Sequence, residues 1–91
     1  MKIMFLGDIV GPSGCKAVNK YLKKIIQDKE IDFVIANGEN AAKNGVGITE
    51  DILNDLFNCG INVVTTGNHV WDHKETLGLV EKETRLLRPL N

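Results

Sequence analysis

Apolar residues follow two rhythms along this chain. Three short runs, Ile3-Met4-Phe5-Leu6, Phe33-Val34-Ile35-Ala36 and Ile61-Asn62-Val63-Val64-Thr65-Thr66, are nearly continuous, as expected of parallel strands covered on both faces. They predict strands over about Lys2 to Leu6, Asp32 to Ala36 and Ile61 to Thr65. Between them the apolar positions take helical spacing. Cys15, Val18, Leu22, Ile25 and Ile26 predict a helix from about Gly14 to Asp28, with Lys16, Lys20, Lys23 and Lys24 on its solvent side. Thr49 reads as the N-cap of a second helix, with Glu50 and Asp51 favourable to the dipole in its first turn. Ile48 and Leu53 stand at the positions of a hydrophobic staple, and Gly60 ends the helix. A third helix is expected from about His73 to Lys82, weakened by Gly78. The tail from Leu86 to Asn91 is apolar and carries no turn or cap chemistry.

The order β-α-β-α-β-α implies an α/β fold, a three-stranded parallel sheet with right-handed crossovers. Crossovers of one hand put their helices on one face, so the other face or an edge is expected to lie uncovered. The 91 residues suffice for one small unit but fall short of a usual two-layer enzyme. The chain therefore reads as the front half of something larger. A net charge of −1 offers no basic surface for nucleic acid. Asp8 breaks the first apolar run too early for a signal peptide, and no run approaches a membrane span, so a cytoplasmic location is expected. Cys15 and Cys59 form no C-x-x-C pair and have no histidine at zinc spacing. They are expected to be small buried hydrophobes.

Each strand is followed by a motif: Gly7-Asp8, Gly38-Glu39-Asn40 and Gly67-Asn68-His69. In a parallel sheet, residues just past the carboxyl ends of strands converge on one edge, where such folds bind ligands. Two carboxylates, two carboxamides and an imidazole would meet there, a set suited to hard metal ions. Taken singly, Asp8 could equally cap a turn, and Asn37-Gly38-Glu39-Asn40 is rich in turn formers. His69 is more specific, because an imidazole next to a carboxamide in one tight turn can serve a substrate while its neighbour holds a cation. The glycines around Asp8 fit neither the dinucleotide nor the Walker spacing. The long polar loop from Asn37 to Gly47 is of a kind that usually carries function.

Together, Phe5-Leu6-Gly7-Asp8-Ile9-Val10-Gly11, Asn37-Gly38-Glu39-Asn40-Ala41-Ala42 and Thr66-Gly67-Asn68-His69-Val70-Trp71-Asp72 resemble the calcineurin-like metallophosphoesterases, and specifically the bacterial YmdB-like subgroup. The resemblance runs through essentially the whole chain, including Arg88-Pro89-Leu90-Asn91. The broader superfamily has a histidine where Val10 stands and an aspartate where Glu39 stands, and both departures fit the subgroup. The resemblance implies that Asp8 and Asn40 bind one metal, Asn68 the other, that Glu39 bridges both, and that His69 is the catalytic imidazole. It implies two divalent ions, iron or manganese, and phosphodiester hydrolysis, with 2′,3′-cyclic nucleotides as substrates. It also calls for further histidines, whereas only His69 and His73 occur here. Residues 1–91 are thus expected to form the amino-terminal part of a metallophosphoesterase domain, carrying one side of the site, and weakly active or inactive alone.

Two other readings stand beside this one. The chain could be a catalytically idle binding or assembly module, its open sheet pairing with another chain, and a homo-oligomer is expected on that ground. A metal-free nucleotide-binding module is opposed by the missing phosphate-loop spacing.

Overall fold

The computed structural model describes residues 1–41, 48–67 and 74–87. In chain order the elements are β1 (Ile3–Asp8), α1 (Gly11–Lys29), β2 (Phe33–Asn37), α2 (Glu50–Asn58), β3 (Val63–Thr65), α3 (Lys74–Lys82) and β4 (Leu86–Leu87). All adjacent strands are parallel, in the spatial order β1-β2-β3-β4. The α/β class and the parallel sheet expected from the sequence are present, with one strand more than the three anticipated. β4 is only two residues long, too short to show a pattern of its own. It is set by Val64 N–H donating to the Arg85 carbonyl at 2.8 Å and Thr66 N–H donating to the Leu87 carbonyl at 2.9 Å. The turn before it uses no glycine or proline. Instead, the Glu83 carboxylate accepts from the Arg85 backbone N–H at 3.1 Å and from its guanidinium at 3.0 and 3.1 Å.

The helices begin and end for local reasons. α1 starts at Gly11 rather than Gly14, because Gly11 adopts a φ of 62° that turns the chain straight from β1 into the helix. It closes on Glu30 in the left-handed conformation, with Ile31 N–H donating to the Ile26 carbonyl at 3.0 Å, a Schellman closure without glycine. Thr49 caps α2 through its hydroxyl, which accepts from Ile52 N–H at 3.4 Å. The staple residues Ile48 and Leu53 are both buried. At the far end of α2, Gly60 has a φ of 120°, and a Cβ there would lie 2.6 Å from Ile26 Cδ1 of α1. β3 begins two residues later than expected. The Asn62 side chain takes the place of a ladder bond, accepting from Val34 N–H at 2.8 Å.

One core holds the unit together. Val34, Ala36, Val64 and Leu86 alternate along their strands onto one face, joining Leu22 of α1, Leu53 and Leu56 of α2 and Leu79 of α3. The register places Ile3 beside Phe33, Phe5 beside Ile35, Ile35 beside Val63 and Thr65 beside Leu87, all on the opposite face. Phe5 is 65% exposed, Ile3 60% and Leu87 49%. Among the described residues, that face carries no helical layer. Cys15 is half-buried and Cys59 buried, both as free thiols. No helix of the described residues is long and apolar enough to cross a membrane.

Candidate metal centre

The first motif is aimed by an irregularity in β1. Leu6 pairs with Ala36, yet Asp8 pairs with Asn37, so Gly7 is an extra residue in the ladder. A bulge of this kind reverses the alternation of side chains. Asp8 is thereby registered with Asn37, on the face away from the helices, rather than with Leu6 on the core face. Gly7 itself has an ordinary φ, and a Cβ there would meet open space. The bulge rather than a glycine-only backbone makes the turn, and the positive φ falls on Gly11.

The second motif is tied to both neighbours. Ile9 N–H donates to the Asn37 carbonyl at 3.1 Å and Gly11 N–H to the Asn40 carbonyl at 2.9 Å, binding it to the end of β1. Gly38 N–H donates to the Thr65 carbonyl at 2.9 Å, binding it to the end of β3. Inside the motif, the Asn37 side-chain oxygen accepts from Glu39 N–H at 3.2 Å, an Asx turn that sets the direction of the next two residues. Gly38 is a glycine for packing, since a Cβ would lie 2.8 Å from Val64 Cγ1 and 3.1 Å from Ile48 Cδ1.

These constraints bring Asp8 and Asn40 together, with Asn40 Nδ2 donating to Asp8 Oδ2 at 3.3 Å. Glu39 reaches the other way, its carboxylate lying against Gly67 just past β3. Asp8, Glu39 and Asn40 therefore share the carboxyl edge of the sheet, as the strand-end placement of the motifs leads one to expect. Asn68 and His69, the two remaining site residues, lie outside the described residues. Among the described residues no group of three or more His, Cys, Asp or Glu side chains could hold a metal ion. The described donors are two carboxylates and one carboxamide, an all-oxygen set that fits hard divalent cations but fills only part of a coordination sphere. Sequence reasoning did not single out Asn37, whose signal is an Asn two residues before the residue it orients. It also passed over Thr66, whose hydroxyl donates to the Leu87 carbonyl at 2.5 Å and secures the chain entering Gly67.

A separate cleft of about 480 Å³ lies between α1 and α2, lined by Pro12, Cys15, Lys16, Asn19, Thr49, Asp51 and Ile52. It contains no motif residue. Its thiol is held toward the protonated form: burial pushes Cys15 up, the Asp55 carboxylate adds to that, and Sγ donates to the Ala41 carbonyl at 3.5 Å.

Several proteins similar to this chain are described as phosphodiesterases or phosphatases. The chain is 42% identical over its 91 residues to a 2′,3′-cyclic-nucleotide 2′-phosphodiesterase of Bacillus subtilis, covering all of this chain and 34% of that protein. A crystal structure of a novel phosphatase from Mycoplasma pneumoniae superposes with a TM-score of 0.90 at 35% identity, covering all of this chain and 32% of that one. A hypothetical protein from Thermus thermophilus superposes with a TM-score of 0.88 at 43% identity, covering 34% of that chain. This chain thus spans about a third of the length of the curated relatives it matches. A family model described as YmdB-like protein matches residues 4–91, so that nearly every residue, with the three strand-end motifs among them, places this chain in the YmdB-like family.

Proposed function

We propose that this chain carries one wall of the dinuclear metal site of a phosphodiesterase acting on 2′,3′-cyclic nucleotides. The observation that carries the reading is the convergence of Asp8, Glu39 and Asn40 on one sheet edge, with Asn40 Nδ2 and Asp8 Oδ2 3.3 Å apart. In this reading Asp8 and Asn40 would hold one divalent ion, Asn68 would hold the other, and Glu39 would serve as a ligand to both. Iron or manganese suits the mixed oxygen set once nitrogen donors complete it. Such ions, when bound, supply Lewis-acid charge for the phosphate oxygens and raise the acidity of a water at neutral pH.

The chain's own residues divide the remaining work. Asp8 and Glu39 bring negative charge, which attracts cations and would repel a phosphate on its own. Asn40 and Asn68 add ligand oxygens without adding charge. His69 would either stabilise charge on the transition state or give a proton to the departing ribose oxygen as the water oxygen bonds to phosphorus and the ring P–O bond breaks. The bulge registers Asp8 on the face left bare by the helices. A layer packing there would be placed to supply the missing nitrogen donors, and in the longer relatives two thirds of the chain is available to form it.

That bare face also favours a second reading, an assembly module whose motifs are idle. Activity measurements on this chain, alone and with the rest of a relative, separate the two, with manganese titration beside them. The enzyme reading expects binding that Asp8→Ala and Glu39→Gln each weaken. It also expects hydrolysis of a 2′,3′-cyclic nucleotide to rise when the remaining two thirds of a relative is added in trans. Manganese binding indifferent to both substitutions would overturn it.

A further inference from the structure

We infer that Gly67 is a positioning residue, whose missing side chain leaves the space that the Glu39 carboxylate occupies at the end of β3. The inference rests on the metal-site reading above and assigns a role to a residue that the reading does not use. A Cβ built on Gly67 would lie 2.5 Å from the Glu39 carboxyl carbon and closer still to one of its oxygens. The φ of Gly67 lies outside the left-handed region, so the backbone does not require glycine here. The requirement is room, and what fills the room is a carboxylate.

Glu39 leaves the loop after β2, where the Asn37 Asx turn orients it, and its side chain bridges to the chain just past β3. Gly67 is in turn anchored by its neighbour, since Thr66 N–H and hydroxyl both donate to the Leu87 carbonyl of β4. One carboxylate thereby links the second and third motifs, and the length of Glu rather than Asp gives it that reach. The three atoms nearest a methyl group at position 67 all belong to the end of one flexible side chain. Glu39 can swing aside, so the fold should tolerate the change while the carboxylate loses its place.

The test is a double-substitution cycle read by manganese affinity, with a metal-free measurement beside it. Gly67→Ala should keep the wild-type far-UV spectrum and melting profile but bind manganese about 10–100-fold more weakly, the usual scale for losing a ligand's support. In a Glu39→Ala background, adding Gly67→Ala should change the affinity no further. Without metal, the nuclear Overhauser contact between the Glu39 γ-protons and the Gly67 α-protons should be present in wild type and absent in Gly67→Ala. Wild-type affinity in Gly67→Ala, or the same fold-loss in both backgrounds, would overturn the inference. If the wild-type chain bound no manganese, the metal-site reading would fail. The Overhauser contact would still decide the packing, its absence in wild type refuting the role of Gly67.

Discussion

Replacing Phe5 with Thr should suppress self-association of this chain while leaving its fold nearly unchanged. Phe5 is 65% exposed in β1. With roughly 200 Å² for a Phe side chain, about 130 Å² would leave water if a second copy covered the bare face, worth about 3 kcal/mol. Ile3, at 60% exposed, adds a similar amount, so two copies gain about 12 kcal/mol from these residues. Association itself costs about 4–15 kcal/mol, which leaves a weak dimer. Phe5→Thr removes about 4–5 kcal/mol of that gross gain across a symmetric pair and should weaken dimerisation by about a thousandfold. The monomer should lose about 1 kcal/mol or less, because most of the ring is in water already. Leu56→Ala is the control. It empties a fully buried site, should cost about 2–5 kcal/mol, and should promote aggregation through unfolding. Sedimentation velocity over a wide concentration range, with thermal melts of the same samples, reads both effects. A wild-type chain that stays monomeric near millimolar concentration, or a Phe5→Thr variant that sediments like wild type, would refute the reasoning.

Three further outcomes are expected. In a preparation completed to activity, His69→Ala should cut turnover of a 2′,3′-cyclic nucleotide by about 10²–10⁴ with metal content intact, whereas Glu39→Gln should strip metal; equal metal loss in both, by elemental analysis, would make His69 a ligand. Gly38→Ala should destabilise by about 1–3 kcal/mol, since its Cβ would meet Val64 and Ile48, while Gly7→Ala, facing open space, should be neutral or slightly stabilising by denaturant titration. Burial raises both thiols, so iodoacetamide at mildly alkaline pH should modify Cys15 and Cys59 more slowly than free cysteine. Full speed should return in denaturant, and fast labelling of the native chain would show that burial is not protecting them.

Local chemistry made much of this protein legible from its residues. The apolar runs, the Thr49 cap, the Ile48–Leu53 staple and Gly60 each act over a few positions, so a single sequence displays them. The strand-then-motif grammar carried further, because parallel topology brings strand ends to one edge whatever the details of packing. That argument alone placed Asp8, Glu39 and Asn40 together. Tertiary structure decided the rest. β4 exists because Val64 and Thr66 supply hydrogen bonds to a segment with no pattern of its own. The bulge at Gly7 is a mismatch between two strands and has no meaning in one. Gly67 looks like any loop glycine until Glu39, from another strand end, is seen in the space beside it. The bare face was foreseen from crossover handedness, but its make-up of Ile3, Phe5, Phe33, Ile35, Val63 and Leu87 depends on register. Propensity and capping are paid out within one turn of chain, whereas register, bulges and close approach arise between segments about thirty residues apart, where only the folded chain brings the partners together.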